Sequence, residues 1–159
     1  GSMEFGGCFL NKRLNRNNDG GTTRRTTDIF QLATTVLFQN PVQNFALAPN
    51  NLKDVSPVCM DYMKKIPTTW DEACFIDGYP GKYVVLARRH GGIWYVAAIN
   101  AGKETLKLKL DLEMFAGKTV SLYKDDKKGE PQLVPLKVKE NGKVQLEILP
   151  QGGAVLVNK

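Results

Sequence analysis

Residues 82–100, KYVVLARRHGGIWYVAAIN, decide the fold. Two runs rich in β-branched and aromatic residues, Lys82–Arg89 and Ile93–Asn100, flank the turn His90-Gly91-Gly92. Their side chains alternate with the period of two that marks a strand. Further runs of this kind lie outward at Glu72–Asp77, Glu104–Leu110, Val120–Tyr123, Gln132–Lys139, Lys143–Leu149 and Ala154–Asn158. Turn residues separate them: Tyr79-Pro80-Gly81, Ala101-Gly102-Lys103, Asn141-Gly142 and Gln151-Gly152-Gly153. Asn-Gly between two alternating runs is a strong hairpin signal, so a hairpin is expected around Asn141. Eight short strands with regular turns predict a mainly antiparallel β-sandwich over 68–159.

The first 67 residues follow a different rule. Residues 1–21 are rich in Gly and Asn and read as a loop. Beyond them, Ile29, Leu32, Ala33, Val36 and Leu37 fall at helical spacing, with Phe30 and Phe38 widening the face. A helix is expected from Thr22–Asp28 to Phe38, with Asp28 and Gln31 as its cap and Asn40-Pro41 as its break. A short helical piece over Val42–Ala48 should follow. A third helix should start at Ser56-Pro57, Ser as N-cap and Pro at the first helical position, and end before Pro67. The fold class is therefore α+β: a helical segment, 1–67, then the sandwich. The apolar face of the first helix is wider than one short neighbour would cover. Its expected partner is a barrel, another subunit or the sandwich itself.

Composition narrows the function classes. The net charge is +6, yet residues 1–79 carry 8 Lys/Arg and 8 Asp/Glu, so the excess sits in 80–159, with 14 against 8. Much of it alternates with apolar residues, as in Leu106-Lys107-Leu108-Lys109-Leu110, and belongs on the solvent face of a half-buried sheet. No aromatic-basic motif accompanies it, which argues against nucleic acid as a partner. No apolar run reaches the ~20 residues of a membrane-spanning helix. Cys8, Cys59 and Cys74 are widely spaced, the only histidine is His90, and no metal-ligand pattern emerges. Buried free thiols are expected, with a single disulfide, whose pair nothing selects, as the alternative. No Gly-x-Ser-x-Gly, P-loop or His-Glu-x-x-His pattern occurs.

Several short runs carry a resemblance that composition does not. They are Thr22-Thr23-Arg24, Gln31-Leu32-Ala33, Pro41-Val42-Gln43 and Pro49-Asn50-Asn51-Leu52, then Ile66-Pro67-Thr68-Thr69-Trp70-Asp71-Glu72, Gly81–Arg89, Ile93-Trp94-Tyr95-Val96 and Gly152-Gly153-Ala154. In this order and spacing they resemble the carboxy-terminal part of family 97 glycoside hydrolases, bacterial α-glucosidases and α-galactosidases. Gly1-Ser2-Met3-Glu4-Phe5 reads either as a tag remnant or as barrel sequence of that family. Gly6-Gly7-Cys8 departs from the family's usual continuation there.

The resemblance implies a parent with a central (β/α)8 barrel, of which residues 1–67 would be the terminal piece and 68–159 the carboxy-terminal sandwich. It implies that the carboxylates flanking the scissile bond, and the glutamates binding calcium in inverting members, precede this chain. No cofactor is expected here; calcium belongs to the intact parent. The implied partners are an oligosaccharide, met through the missing barrel, and the missing amino-terminal part. Self-association through the helical segment is a further expectation. The implied compartment is periplasmic or extracellular.

The candidate site residues are few. Glu4 is a weak candidate for contact with the sugar pocket, and no catalytic residue is assigned. Trp94 and Tyr95 are adjacent in a strand, so one should face the core and one outward, and the outward one is a candidate sugar platform. Trp70 is expected to pack helix against sheet at the junction, with sugar stacking as its alternative role. Asp71 and Glu72 would point to opposite faces of a strand and make a poor acid/base pair. His90 is expected as a turn residue, and Arg88 and Arg89 as ion-pair partners across the sheet. The expected function is an accessory, structural piece of an α-glucoside- or α-galactoside-cleaving enzyme, without a complete active site. A stand-alone carbohydrate-binding sandwich and a non-enzymatic interaction module are the alternatives.

Overall fold

A computed structural model describes Leu10, residues 24–47 and residues 49–158. Glu4, Cys8 and the loop expected over 1–21, apart from Leu10, lie outside the described residues. Two α-helices, α1 (Asp28–Leu37) and α2 (Pro57–Met63), precede eight strands. These are β1 (Glu72–Tyr79), β2 (Tyr83–His90), β3 (Ile93–Asn100), β4 (Leu106–Asp111), β5 (Thr119–Asp125), β6 (Pro131–Lys137), β7 (Lys143–Ile148) and β8 (Gly153–Val157). Six of them form one sheet in the order β1-β2-β3-β8-β5-β6, and β4 and β7 form a second sheet. Every pairing is antiparallel. The α+β class and the sandwich are as the alternation predicts.

The large sheet is covered on both sides. Val85, Ala87, Val96, Ala98, Leu122 and Leu156 point toward the small sheet and meet Leu108, Leu110, Leu146 and Ile148. Tyr95, Ala97, Tyr123, Val155 and Val157 point the other way, onto α1 and α2. The layers therefore run small sheet, large sheet, helices. The α1 residues Ile29, Leu32, Ala33 and Val36 are completely buried there. Full burial of each larger aliphatic side chain stabilises by about 1.5–3 kcal/mol. Of the three partners expected for that wide apolar face, the structure supplies the sandwich itself. The buried part of that face is occupied within the chain, while Phe38, Val42 and Leu52 of the helical segment stay exposed.

Several boundaries differ from expectation, each for a local reason. Thr27, not Asp28, caps α1, its hydroxyl accepting from the Phe30 amide at 3.1 Å. Asp28 is the first helical residue, ion-paired to Arg24, where a carboxylate complements the positive helix end. No helix forms over 42–47. The Val42 amide donates to Asn40 Oδ1 and Gln43 Nε2 donates to the Thr35 carbonyl, so side chains satisfy the backbone instead of a helical turn. A 3-10 helix follows at Pro49–Asp54. Ser56 and Pro57 start α2 as expected, but it closes at Met63, four residues before Pro67.

Asn141-Gly142 does not close a hairpin. β6 pairs with β5 and β7 pairs with β4, so this turn carries the chain from one sheet to the other. Gly142 adopts φ 72°, and its carbonyl accepts from the Leu112 amide at 2.9 Å. The turn is thereby docked on the end of β4.

The helix entry is latched to the sandwich. The Thr27 amide donates to the Gln151 carbonyl at 3.0 Å, and its hydroxyl donates to Asp125 Oδ2 at 2.9 Å. The Gly153 amide donates to the same oxygen at 3.1 Å. Gly153 lies directly under α1: a Cβ there would sit 2.8 Å from the Phe30 Cα. Burial pushes the Asp125 carboxyl up to about 6, against the lowering influence of these two hydrogen bonds.

Candidate functional site

At the end of α1 the chain leaves the helix layer through Gln39, Asn40 and Pro41, and it returns to the sheet through Thr68, Thr69 and Trp70. Between these passages and the start of β1 lies a cleft of about 370 Å³, with Arg88 of β2 as its inner wall. Arg88 and Arg89 are neighbours with opposite fates because adjacent strand residues face opposite ways. Arg89 is half-exposed and meets Glu72 Oε2 at 3.2 Å and Asp71 Oδ2 at 3.5 Å. This is the ion pairing expected across the sheet for Arg89; Arg88, of which the same was expected, forms no such pair among the described residues because it faces the helix layer. Arg88 turns to the helix side and is 6% exposed. Its Nη2 reaches only the Leu37 carbonyl, at 3.4 Å, at the last residue of α1. A cation there complements the negative helix end. Burial lowers its pKa from the usual arginine value.

Trp70 closes the cleft. Its ring lies edge-on to Tyr95 at 5.3 Å and under the Arg88 guanidinium at 5.9 Å. It packs against the helix-side core, in the role of joining helix to sheet. Two buried donors at the cleft, Trp70 Nε1 and Arg88 Nε, have no hydrogen-bond partner. Asp71 is otherwise engaged, accepting from the Gly91 amide at 2.7 Å. His90 Nδ1 lies 2.9 Å from the Thr69 carbonyl, which fixes the turn to the loop before β1.

The remaining sequence candidates do not converge on this cleft. Tyr95 is 7% exposed beneath the helices. Trp94 points the opposite way, half-buried against the inter-sheet core, with Arg89 over its ring at 5.9 Å. The expectation that one of the pair would face solvent needs correction, because the large sheet is covered on both sides. Arg88 was missed as a site residue. Its signal was its parity: it shares a face with Leu86 and Val84, so a cation falls in an apolar register.

Elsewhere, a cleft of about 630 Å³ between β6 and the β4–β7 sheet is rimmed by Lys109, Lys137, Lys139 and Lys143, with Asp111 among them. The alternating lysines of β4 are exposed and its leucines 108 and 110 buried, as the pattern predicts. Cys59 is a buried free thiol and Cys74 a half-buried one. Among the described residues no group of three or more His, Cys, Asp or Glu side chains is placed to hold a metal ion. No described helix is long and apolar enough to cross a membrane.

Comparison with known proteins agrees with this architecture. The family described as "Glycosyl-hydrolase 97 C-terminal, oligomerisation" matches residues 69–158. A retaining alpha-galactosidase of Bacteroides thetaiotaomicron is 30% identical over 133 residues, 79% of this chain and 20% of that protein. A probable retaining alpha-galactosidase of Streptomyces bingchenggensis is 32% identical over 104 residues, 64% of this chain and 15% of that protein. A crystal structure of a beta-arabinopyranosidase superposes with a TM-score of 0.97 at 83% identity, over 99% of this chain and 25% of its own. A family 97 enzyme from Pseudoalteromonas sp. strain K8, solved with panose, shares the fold at TM-score 0.79 and 22% identity, over 99% of this chain and 26% of its own. The chain thus spans a fifth or less of the curated relatives it matches, and about a quarter of these solved chains. With the match over 69–158 and the sandwich built from those residues, the chain belongs to the glycoside hydrolase family 97 carboxy-terminal, oligomerisation family.

Proposed function

We propose that this chain is the support and assembly module of a family 97 glycoside hydrolase whose catalytic carboxylates lie upstream, and that it self-associates through one corner of its large sheet. The observation that carries this is an asymmetry of cover. The helices and the small sheet bury the centre of the large sheet, while β1 at its edge leaves Phe75 68% and Tyr79 58% exposed. With Pro80, Tyr83, Val84 and Ile99 they line an apolar groove of about 390 Å³. The opposite edge, β6, carries Pro131 and Pro135, which discourage edge contacts. A bare ring and an apolar groove on one patch suit an isologous contact between two copies.

The names of the relatives support one substrate class for the parent. An α-D-galactopyranoside and a β-L-arabinopyranoside share their ring configuration and differ by the exocyclic CH2OH. We assign the parent to glycosides of that configuration, with α-glucosides as the competing class, in a periplasmic or extracellular setting. Calcium, where the parent uses it, would be held by upstream residues.

Sedimentation velocity and turnover test the proposal together. The 159-residue chain should sediment as a dimer at high micromolar concentration, Phe75→Asp as a monomer, and neither should hydrolyse nitrophenyl α-galactoside or β-L-arabinopyranoside. A monomeric parent chain removes the assembly role. Turnover that survives mutation of Glu4, in a preparation free of host glycosidase, removes the support role.

A further inference from the structure

We infer that the cleft between the end of α1 and the start of β1 is a binding site for a single carboxylate. The argument begins with an uncompensated charge. Arg88 is 6% exposed, and no carboxylate among the described residues pairs with its guanidinium. A buried cation without a partner is strongly unfavourable, and the molecule carries it only where something offsets it. The Leu37 carbonyl at 3.4 Å and the Trp70 ring at 5.9 Å offset it in part.

The unmet hydrogen bonds point the same way. Arg88 Nε and Trp70 Nε1 are both buried and both without partners, and both residues line the cleft. Neither atom can accept a hydrogen bond. The ligand must therefore supply acceptors, and beside a desolvated guanidinium an anionic acceptor is favoured over a neutral one. Asp71 and Glu72 also line the cleft, but their carboxylates are held by Arg89 and the Gly91 amide. Their charge at the rim disfavours a dianion such as phosphate and leaves a monoanion. At about 370 Å³ the cleft admits a carboxylate together with a body the size of a sugar or a short side chain. The carboxylate therefore comes from a free sugar acid or from an acidic residue of a polypeptide.

The chain contains only two tryptophans, Trp70 and Trp94, so its indole N–H resonances report the site directly. We would titrate the 159-residue chain with sodium formate at constant ionic strength, assigning the Trp70 signal with Trp70→Phe. The Trp70 resonance should move saturably, with a dissociation constant on the order of millimolar, while Trp94 stays still. Arg88→Gln should weaken binding about tenfold or more, the loss of one charge-assisted hydrogen bond. Should that variant not fold, Arg88→Lys keeps the charge, loses Nε and should also weaken binding. Glucuronate binding more tightly than formate identifies a sugar acid; an amide-capped aspartate binding more tightly identifies an acidic peptide. A flat titration, an equal response to chloride, phosphate or acetamide, or an unchanged response in a folded Arg88 variant overturns the inference.

Discussion

Replacing Asp125 by Asn should make the chain more stable at neutral pH and remove a pH dependence that the wild type shows. The Asp125 carboxyl is raised from 3.8 to about 6, chiefly by burial, with Asp28 and Asp126 adding to the rise. The folded state therefore binds this proton more tightly than the unfolded chain. Between about pH 4 and 6 the native state holds more protons than the unfolded one, so stability falls as pH rises through that window. The full difference is about 3 kcal/mol, at ~1.4 kcal/mol for each tenfold change in proton affinity. An Asn side chain stays neutral. Its oxygen can still accept from the Thr27 hydroxyl and the Gly153 amide, which now bond Oδ2. Its amide takes the place of Oδ1, which has no partner and so loses no bond in the exchange. Urea unfolding of both proteins at pH 4.5, 6 and 7.5 gives the comparison, and their difference cancels groups common to both, such as Asp126. The Asn variant should gain on the wild type by about 2 kcal/mol from pH 4.5 to 7.5, the part of the full difference that falls in this window. A difference independent of pH would refute the claim that the buried carboxyl ionises at a cost.

Three further predictions concern the layers. Gly153→Ala forces a methyl against the backbone of α1, where a Cβ meets Phe30 Cα at 2.8 Å, and should cost ~1–3 kcal/mol in urea unfolding; a neutral result would mean the helix is free to lift. Leu32→Ala opens a cavity at a fully buried α1 position and should cost ~2–5 kcal/mol; thermal melting with an unchanged midpoint would show that the helix does not depend on the sheet. Asn100→Ala strips a buried amide that donates to the Glu104, Ile148 and Leu149 carbonyls at 2.8, 3.3 and 3.0 Å. The expected loss is ~1–3 kcal/mol, with faster amide exchange in the turn after β3, and wild-type exchange there would contradict the bracing role.

The strands were legible because alternation and turn residues act locally. Ile93–Asn100 emerges at its expected bounds, and the others shift by at most two residues at either end. The third layer was harder to see. The five residues of β8, Gly-Ala-Val-Leu-Val, are all buried, the continuous apolar run of a strand covered on both faces. A two-layer sandwich leaves one of Trp94 and Tyr95 in solvent, whereas the third layer over β8 and its neighbours covers Tyr95. The connection at Asn141-Gly142 shows a limit of local chemistry. A turn fixes φ over two residues, while the choice of partner strand depends on Leu112, thirty residues earlier in the chain. The cleft was hidden for a similar reason: Gln39–Pro41, Thr68–Ala73 and Arg88 are remote in sequence and meet only once α1 lies on the sheet.

The position of β8 has a consequence for synthesis. It is made after the seven other strands, yet it sits between β3 and β5 and joins the β1–β3 half of the large sheet to the β5–β6 half. On the ribosome the two halves can form as separate antiparallel ribbons, but they cannot merge until Gly153–Val157 clears the exit tunnel. Until then the α1 side chains that rest on β8 lack part of their floor. A nascent chain stalled before Gly153 would expose apolar surface from both ribbons and from the helix, and would be a substrate for holding chaperones.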